Sequence, residues 1–290
     1  MRYLVTGGAG FLGAALANRL VAEGHAVRAL DDLSSGDRQR LDARVAFTAG
    51  DIRDLPKLWS LLHSVDCVYH LAARVSVPES VLYPAEYNAI NVGGTVALLT
   101  AMRDAQIKRL VFASSGAVCG EQQQQPMTEA LVPRPMTPYA VSKRSSELYV
   151  QAIGALWGIE TVILRVFNAY GPGQPLPPSH PPVVSHYLRQ AITGASLVIH
   201  GDGRQTRDFV YVSDVTDALV AAGRAEGVDR MILNVGSGVE TSINGLADTI
   251  ERVAGRKLHR LTNGEASVGV SRMVADLTLA GEKLGYQPRV

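Results

Sequence analysis

The stretch PYAVSK (138–143) places Tyr139 four residues before Lys143, a spacing that puts both side chains on one face of a helix. Such a pair can be a half-exposed surface contact and nothing more. It can also be a proton-transfer device. A free phenol ionises near pH ~10, whereas a base for a hydroxyl proton works best near ambient pH. A neighbouring ammonium favours the phenolate and narrows that gap. Upstream, FASS (112–115) ends an apolar run with a hydroxyl that can hold the same substrate oxygen; Ser115 is the candidate, with Ser114 in reserve. Ser115, Tyr139 and Lys143 are thus the candidate catalytic residues for taking a proton from an alcohol while a hydride leaves its carbon.

A hydride needs a carrier, and the N-terminus offers a place for one. TGGAGFLG (6–13) follows the apolar run YLV and opens a helical stretch. Gly8, Gly10 and Gly13 satisfy the G-x-G-x-x-G pattern, and Gly7, Gly10 and Gly13 its wider-spaced relative, with Phe11 and Leu12 between the last two glycines. Glycines permit the tight turn and let the backbone approach a pyrophosphate, which the free N–H groups of the helix start then bind. The second strand candidate ends at Asp31, eighteen residues after Gly13. An acid there accepts hydrogen bonds from ribose hydroxyls and repels a 2′-phosphate, favouring NAD over NADP. Asp32 is adjacent and remains an alternative, and either can be a turn-capping aspartate. Asp51, after the third strand candidate, can face the adenine or simply cap a turn.

These residues need a scaffold. Strand candidates at 3–7, 26–32, 45–51, 65–73, 109–115 and 160–168 alternate with helices at 10–24, 88–106 and from Tyr139 to about Trp157. Alternating β and α, with nearly continuous apolar strands, predicts an α/β fold of Rossmann type: a doubly wound parallel sheet covered on both faces. From about residue 170 the texture changes. GPGQPLPPSHPP (171–182) excludes regular helix or inner strand, and the mixed short strands and helices beyond it predict a smaller C-terminal substrate-binding lobe. The expected division is 1–168 for the dinucleotide lobe, with 207–237 returning to it as strands at 207–215 and 231–237. The substrate lobe takes 169–206 and 238–290. QQQQ (122–125) reads as a solvated loop.

Composition excludes several classes. The 290 residues are 47% hydrophobic and 19% charged with net charge +1, so nothing points to nucleic acid or an anionic membrane surface. No apolar run is long enough to span a bilayer, and YLV is too short for a signal peptide. Cys67 and Cys119 make neither a disulfide framework nor a metal site, so no metal is expected and a reducing cytoplasm is the natural compartment.

Taken together, VTGGAGFLG, LDDLSSG, GDIRD, HLAARVSVPESVLYP, NVGGT, SSGAVCG, PYAVSK, RVFNAYGPGQ and GDGRQTRDFVYVSDV resemble, in order and nearly end to end, the blocks of the extended short-chain dehydrogenase/reductase family. The likeness is to its sugar-nucleotide epimerase/dehydratase branch and nearest to the UDP-glucose/UDP-galactose 4-epimerases. The resemblance implies tightly held NAD, a nucleotide-sugar substrate, and a homodimer formed by the helices near 88–106 and 139–157. It implies that Ser115, Tyr139 and Lys143 are the catalytic trio. It also implies cofactor contacts from Gly7, Gly10, Gly13, Asp31, Asp51, Ile52, Leu71, Ala72 and Ala73, with Asn91 in support. Asn168 and Arg207 match positions that hold the diphosphate, and His200 one near the uracil. Arg207 suits a diphosphate as a planar, always-charged fork, although an ion pair with Asp208 would also explain it. His200 can equally be a solvated strand end. Met273 matches a pocket wall that bears on the choice between plain and N-acetylated hexoses.

The sequence departs from the family's pattern in two places. Cys119 stands where a tyrosine is usual and reads as a small packing residue. The family's phosphate-gripping arginine is missing from TNGEASVGVSR (262–272): Ala266 falls near its place, and Arg272 is the candidate substitute from a shifted position. Relatives that eliminate or decarboxylate carry an acid after the catalytic hydroxyl. Here Gly116 and Ala117 come next and cannot transfer protons, so no elimination is expected. A 4-epimerase of a UDP-sugar, glucose/galactose first, is the leading expectation. Epimerisation of an N-acetylhexosamine, glucuronate or pentose, a one-way keto-reductase or dehydrogenase, and a non-catalytic NAD-binding module are the alternatives.

Overall fold

The alternating runs fold as a parallel sheet between helices in the computed structural model, which describes residues 1–177, 179–264 and 270–290. The first half of the chain forms β1 (Arg2–Thr6), α1 (Phe11–Ala22), β2 (Ala26–Asp31), β3 (Ala46–Ala49), α2 (Leu55–Leu62), β4 (Cys67–His70), α3 (Val77–Leu82), α4 (Pro84–Tyr87), α5 (Gly94–Asp104), β5 (Arg109–Ser115), α6 (Pro138–Trp157) and β6 (Glu160–Val166). The second half forms β7 (Asn168–Tyr170), α7 (Val183–Thr193), β8 (Leu197–His200), β9 (Thr206–Tyr211), α8 (Val212–Arg224), β10 (Met231–Val235), β11 (Glu240–Ser242), α9 (Ile243–Ala254), β12 (Arg260–Asn263) and α10 (Thr278–Leu284).

Seven strands lie in the order β10-β6-β5-β4-β1-β2-β3, every neighbour parallel. Strands buried on both faces have no polar side to show, which is why YLV and CVYH read as continuous apolar runs. One face is covered by α1 and α8 over Tyr3, Val5, Leu16, Leu20 and Leu219. The other is covered by α2, α5 and α6 over Leu4, Leu58, Leu98, Phe112 and Val150. The winding reverses between β1 and β4, and in such sheets ligands bind beyond the carboxyl ends of the strands at that point.

The later strands divide differently from the expectation. β10 extends the main sheet beside β6. β9 instead pairs with β7 and β11 in a separate three-stranded sheet, and β8 pairs with β12. The strand expected over 207–215 therefore ends at Tyr211, and Val212 opens α8. Val215 and Leu219 repeat at helical rather than strand spacing, with Asp214 in the first turn, and both apolar residues are buried. The smaller sheets pack on α7 and α9 through Val184, Tyr187, Leu197, Ile199, Leu246 and Ile250.

The helix expected over 88–106 starts as a π-helical stretch, Asn88–Gly93, before α5. The glutamine tract is also more than a solvated loop. Gln122 donates to the carbonyls of Cys119 and Val132, and Gln125 bonds the main chain near Met273.

Candidate active site

The turn from β1 into α1 is built for close approach. Gly7 has φ +68°, and a Cβ there would meet the backbone of Ala72 at 2.7 Å. A Cβ on Gly13 would lie 1.9 Å from the Gly7 carbonyl oxygen. Gly10 caps α1 with no side-chain bond to its first amides, so the helix start keeps free N–H groups and a partial positive charge. Phe11 and Leu12 form the first turn, half-buried.

Asp31 ends β2 at 8% exposure. It accepts from Ala9 N–H at 3.0 Å and Leu33 N–H at 2.8 Å. Burial pushes its pKa up, and those backbone bonds oppose the push. Asp32 is exposed and closes its own turn on the Ser34 N–H and hydroxyl. Asp51 is gripped by Arg53 at 2.9 and 2.5 Å, which holds its carboxyl below the ordinary range. Ile52 is buried and fills the space where Gly94 lacks a side chain. A glycine turn that no Cβ could share, an uncapped helix start and a buried acid at the end of the next strand together fit a dinucleotide.

Leu71, Ala72 and Ala73 follow β4 as the loop across the cradle, with Leu71 N–H on Thr6 O at 3.0 Å. Asn91 acts through this loop. Its side chain pairs with both main-chain groups of Arg74 (2.8 and 3.0 Å) and donates to Ser142 at 2.9 Å, tying the loop to α6. His70 is not legible from sequence as part of the site. It is buried between the Thr6 hydroxyl at 2.7 Å and the Thr95 hydroxyl at 2.9 Å, and burial lowers its pKa to about 3. It stays neutral and fixes the floor beneath the cradle.

Two of the three candidate catalytic residues, Ser115 and Tyr139, meet at the cleft, and Lys143 lies one helical turn beyond Tyr139 on α6. Ser115 caps the 3-10 turn Gly116–Cys119 by accepting from Ala117 N–H at 3.2 Å. Thr137 caps α6 and so sets Tyr139 in its first turn. Tyr139 and Lys143 are 9% and 4% exposed, and the Lys143 ammonium sits 4.3 Å from the centre of the Phe112 ring. Here the electrostatics differ from the expectation that the ammonium lowers the phenol. Burial raises the Tyr139 pKa, and the Ser115 hydroxyl is the group that pulls it down. Burial likewise lowers Lys143 to about 7, opposed by the charge of Glu147. Sequence spacing sets the distance between the two groups but not their desolvation, which penalises both charged forms.

Below them lies a cluster that sequence reasoning missed. Glu147 and Arg165 are fully buried, and Glu147 also accepts from Ser114 at 2.7 Å and Arg144 at 2.9 Å. Ser114, the reserve candidate, is thus committed to Glu147, whereas Ser115 faces the cleft. The available signal was that Glu147 continues the spacing Tyr139, Lys143, Glu147 on one helix face.

A cleft of about 400 Å³ opens beside Tyr139, lined among others by Ser115, Asn168, Arg207, Phe209 and Met273. Arg207 does not pair with Asp208. Among the described residues its guanidinium donates to main-chain carbonyls, Thr206 O at 2.7 Å and Val270 O at 3.0 Å, and burial lowers its pKa. Asp208 is instead a hub for Ser237, Gly238 and Ala275. The buried amide oxygen of Asn168 has no partner among the described residues. Arg272 lies off the cleft, exposed and paired with Glu240 at 2.7 Å, and His200 ends β8 exposed, away from the lining. Ala266 lies outside the described residues. Cys119 is buried against Phe167 and Met273, and burial raises its thiol pKa, as a packing residue requires.

Comparison with known proteins supports this geometry. The sequence pattern of the NAD dependent epimerase/dehydratase family matches residues 3–236. A UDP-glucose 4-epimerase of Mycolicibacterium smegmatis is 38% identical over 298 residues, covering 100% of this chain and 94% of that protein. The crystal structure of a UDP-glucose 4-epimerase from Thermotoga maritima with UDP-glucose superposes with TM-score 0.96 at 33% identity, covering 100% and 94% of the two chains. A UDP-N-acetylglucosamine 4-epimerase from Methanobrevibacter ruminantium M1, in complex with UDP-N-acetylmuramic acid, superposes with TM-score 0.93 at 32% identity, covering 99% and 93%.

Proposed function

The chain belongs to the NAD dependent epimerase/dehydratase family, and we propose that it is a 4-epimerase interconverting UDP-glucose and UDP-galactose through a transient 4-keto sugar. The observation that carries this reading is the position of Tyr139: one phenol that reaches Ser115, lines the cleft with Arg207 and Asn168, and stands four residues from Lys143.

The glycine turn, Asp31, Asp51, Ile52 and the loop of Leu71, Ala72 and Ala73 would hold NAD, with Lys143 beneath the candidate phenol. When bound, NAD supplies the two-electron acceptor and donor for the hydrogen on the sugar's C4. Tyr139 takes the C4 hydroxyl proton as C4 becomes a ketone, and returns it to the oxygen when C4 is reduced from the other face. Ser115 holds that oxygen throughout. Lys143 keeps the phenol's proton mobile. Arg207 supplies the charge for the diphosphate, and the Asn168 amide oxygen is an acceptor kept free for substrate. Arg272 and His200 reach the nucleotide only if the surrounding segments shift.

In this reading residues 1–168 with α8 and β10 form the cofactor lobe, and the remainder from 169, including β9 in its separate sheet with β7 and β11, the substrate lobe. The chain works as a homodimer through α5 and α6, and on α6 Val141, Leu148, Tyr149 and Leu156 leave apolar surface exposed. A cytoplasmic site suits the two free, buried cysteines. No helix among the described residues is long and apolar enough to cross a membrane. The N-acetylhexosamine relative supports a second reading in which the same cleft epimerises a bulkier UDP-sugar.

Proton NMR of the purified protein with UDP-galactose and catalytic NAD tests the proposal. The anomeric signals should move toward a UDP-glucose-rich mixture with no net NADH. Steady accumulation of NADH would replace it with a dehydrogenase, and no conversion of any UDP-sugar would leave an NAD-binding module.

A further inference from the structure

One strip of the cleft wall is held from both sides. Val270 and Met273 line the cleft, and Met273 is 7% exposed, packed on Cys119 and Phe167. The peptide groups flanking Met273 are both bound by a single side chain. The Gln125 amide donates to Arg272 O at 3.2 Å and accepts from Val274 N–H at 3.1 Å. From the same loop, the Glu121 carboxylate accepts from Ser271 N–H at 2.7 Å and from the Ser271 hydroxyl. On the other side, Thr206 N–H donates to Ser271 O at 2.9 Å and Arg207 to Val270 O at 3.0 Å. Arg272 is anchored to Glu240.

Methionine is flexible and by itself specifies a cavity poorly. A methionine wall keeps a defined volume only if its backbone is fixed, and here two side chains from the loop after β5 fix it. We propose that Glu121 and Gln125 are positioning residues: a clasp that sets how far Met273 stands into the cleft, and through it which sugar substituents the pocket admits. The proposal rests on the nucleotide-sugar reading. It explains why a tract that looks like solvated filler has a glutamine whose amide is fully engaged. It also places sugar discrimination on residues that do not touch the sugar.

The test is Gln125→Ala, with Gln125→Glu as the partial variant that keeps only the acceptor for Val274 N–H. The first readout is methyl NMR of methionine-labelled protein, with the Met273 signal assigned by its loss in Met273→Leu. In Gln125→Ala that signal should shift and broaden while Met102 in α5 and Met231 in β10, remote from the cleft wall, hold. The second readout is kinetic. The KM for UDP-galactose should rise about fivefold, the equivalent of one lost hydrogen bond, with kcat nearly unchanged. The preference for UDP-N-acetylgalactosamine over UDP-galactose in kcat/KM should rise about tenfold as the wall yields. An unmoved Met273 signal overturns the clasp, and so does an equal loss on both sugars that follows a fall in Tm. If wild type turns over neither sugar, the functional reading fails alone, and the methyl signal with its response to added UDP still decides the clasp.

Discussion

Glu147 sits one helical turn beyond Lys143 and binds the guanidinium of Arg165 bidentately along one edge, Nε to Oε1 and Nη2 to Oε2 at 2.9 Å each. The pair joins α6 to β6, and Ser114 joins it to β5. All three elements that carry the candidate catalytic residues or border them are thus fixed at one buried point. Burial pushes the Glu147 pKa up, but Arg165 and its other donors outweigh this and hold it below the ordinary value. A depressed carboxylate stabilises the fold above its unfolded pKa, and that contribution is lost as pH falls through the folded one.

Glu147→Ala leaves Arg165 buried without its counter-charge. Breaking such a pair costs about 3–5 kcal/mol. Urea unfolding should read that loss at pH 7, and the loss should shrink toward acid pH. A double change to Glu147→Leu with Arg165→Met should recover most of it, because no charge is then left unpaired. A single-variant loss under about 1 kcal/mol would show that water reaches Arg165.

Lys143 is predicted to cost stability. Its amine is held at about 7 in the folded chain, against an ordinary 10.5. Between those values the unfolded chain binds more protons than the folded one, so stability rises with pH. The penalty is complete below pH ~7 and vanishes toward pH ~10.5. Lys143→Met should therefore abolish turnover yet raise stability by about 2 kcal/mol at pH 7. The gain should fall steadily when Tm is followed from pH 7 to pH 10. A gain that does not change with pH would mean that the amine is not the cause.

How much of this is legible in the sequence depends on the range of the interaction. The glycine turn, Asp31, the Tyr139–Lys143 spacing and the first six strands are local patterns, and each lies where its periodicity or spacing puts it. What cannot be read is set by partners distant in sequence. Glu147 looks like an ordinary helix-surface acid until Arg165, eighteen residues on, is folded against it. Asp208 looks like a partner for Arg207, but four hydrogen bonds from Ser237, Gly238 and Ala275 claim it. Arg272 looks like a phosphate ligand until β11 brings Glu240 beside it. Val212 reads as strand because valines suit both states, and only burial of Val215 and Leu219 on one helix face decides it.

Arg207 should govern nucleotide affinity and not the chemical step. It is the cleft-lining arginine, and its bonds to two carbonyls orient it without neutralising it. Losing charge-assisted bonds to a diphosphate costs about 1.5–3 kcal/mol, or roughly 10- to 150-fold in affinity. Titration calorimetry of Arg207→Ala with UDP should show this weakening, with kcat for the sugar nucleotide much less affected. Arg207→Lys should recover only part, since an ammonium cannot fork. Unchanged UDP binding in Arg207→Ala would place the diphosphate elsewhere.

Ser115 and Tyr139 make the sharpest pair of variants, because the proposed mechanism gives them different tasks on one proton. The Tyr139 phenol is raised by burial and pulled down by the Ser115 hydroxyl. A base must be deprotonated to act, so turnover climbs with pH through its pKa. Removing the hydroxyl in Ser115→Ala lets the phenol rise further, and the acid limb of the kcat profile should move to higher pH. The same variant leaves the substrate oxygen unsupported, so kcat should also fall at every pH, by about 10²-fold. Tyr139→Phe has no such limb to move. Its kcat should fall by about 10³-fold or more and become nearly flat between pH 6 and 9, while NAD and UDP still bind. If Tyr139→Phe kept the wild-type limb, the titrating base would be another group. Lys143, held at about 7 by burial, would then be the first to test.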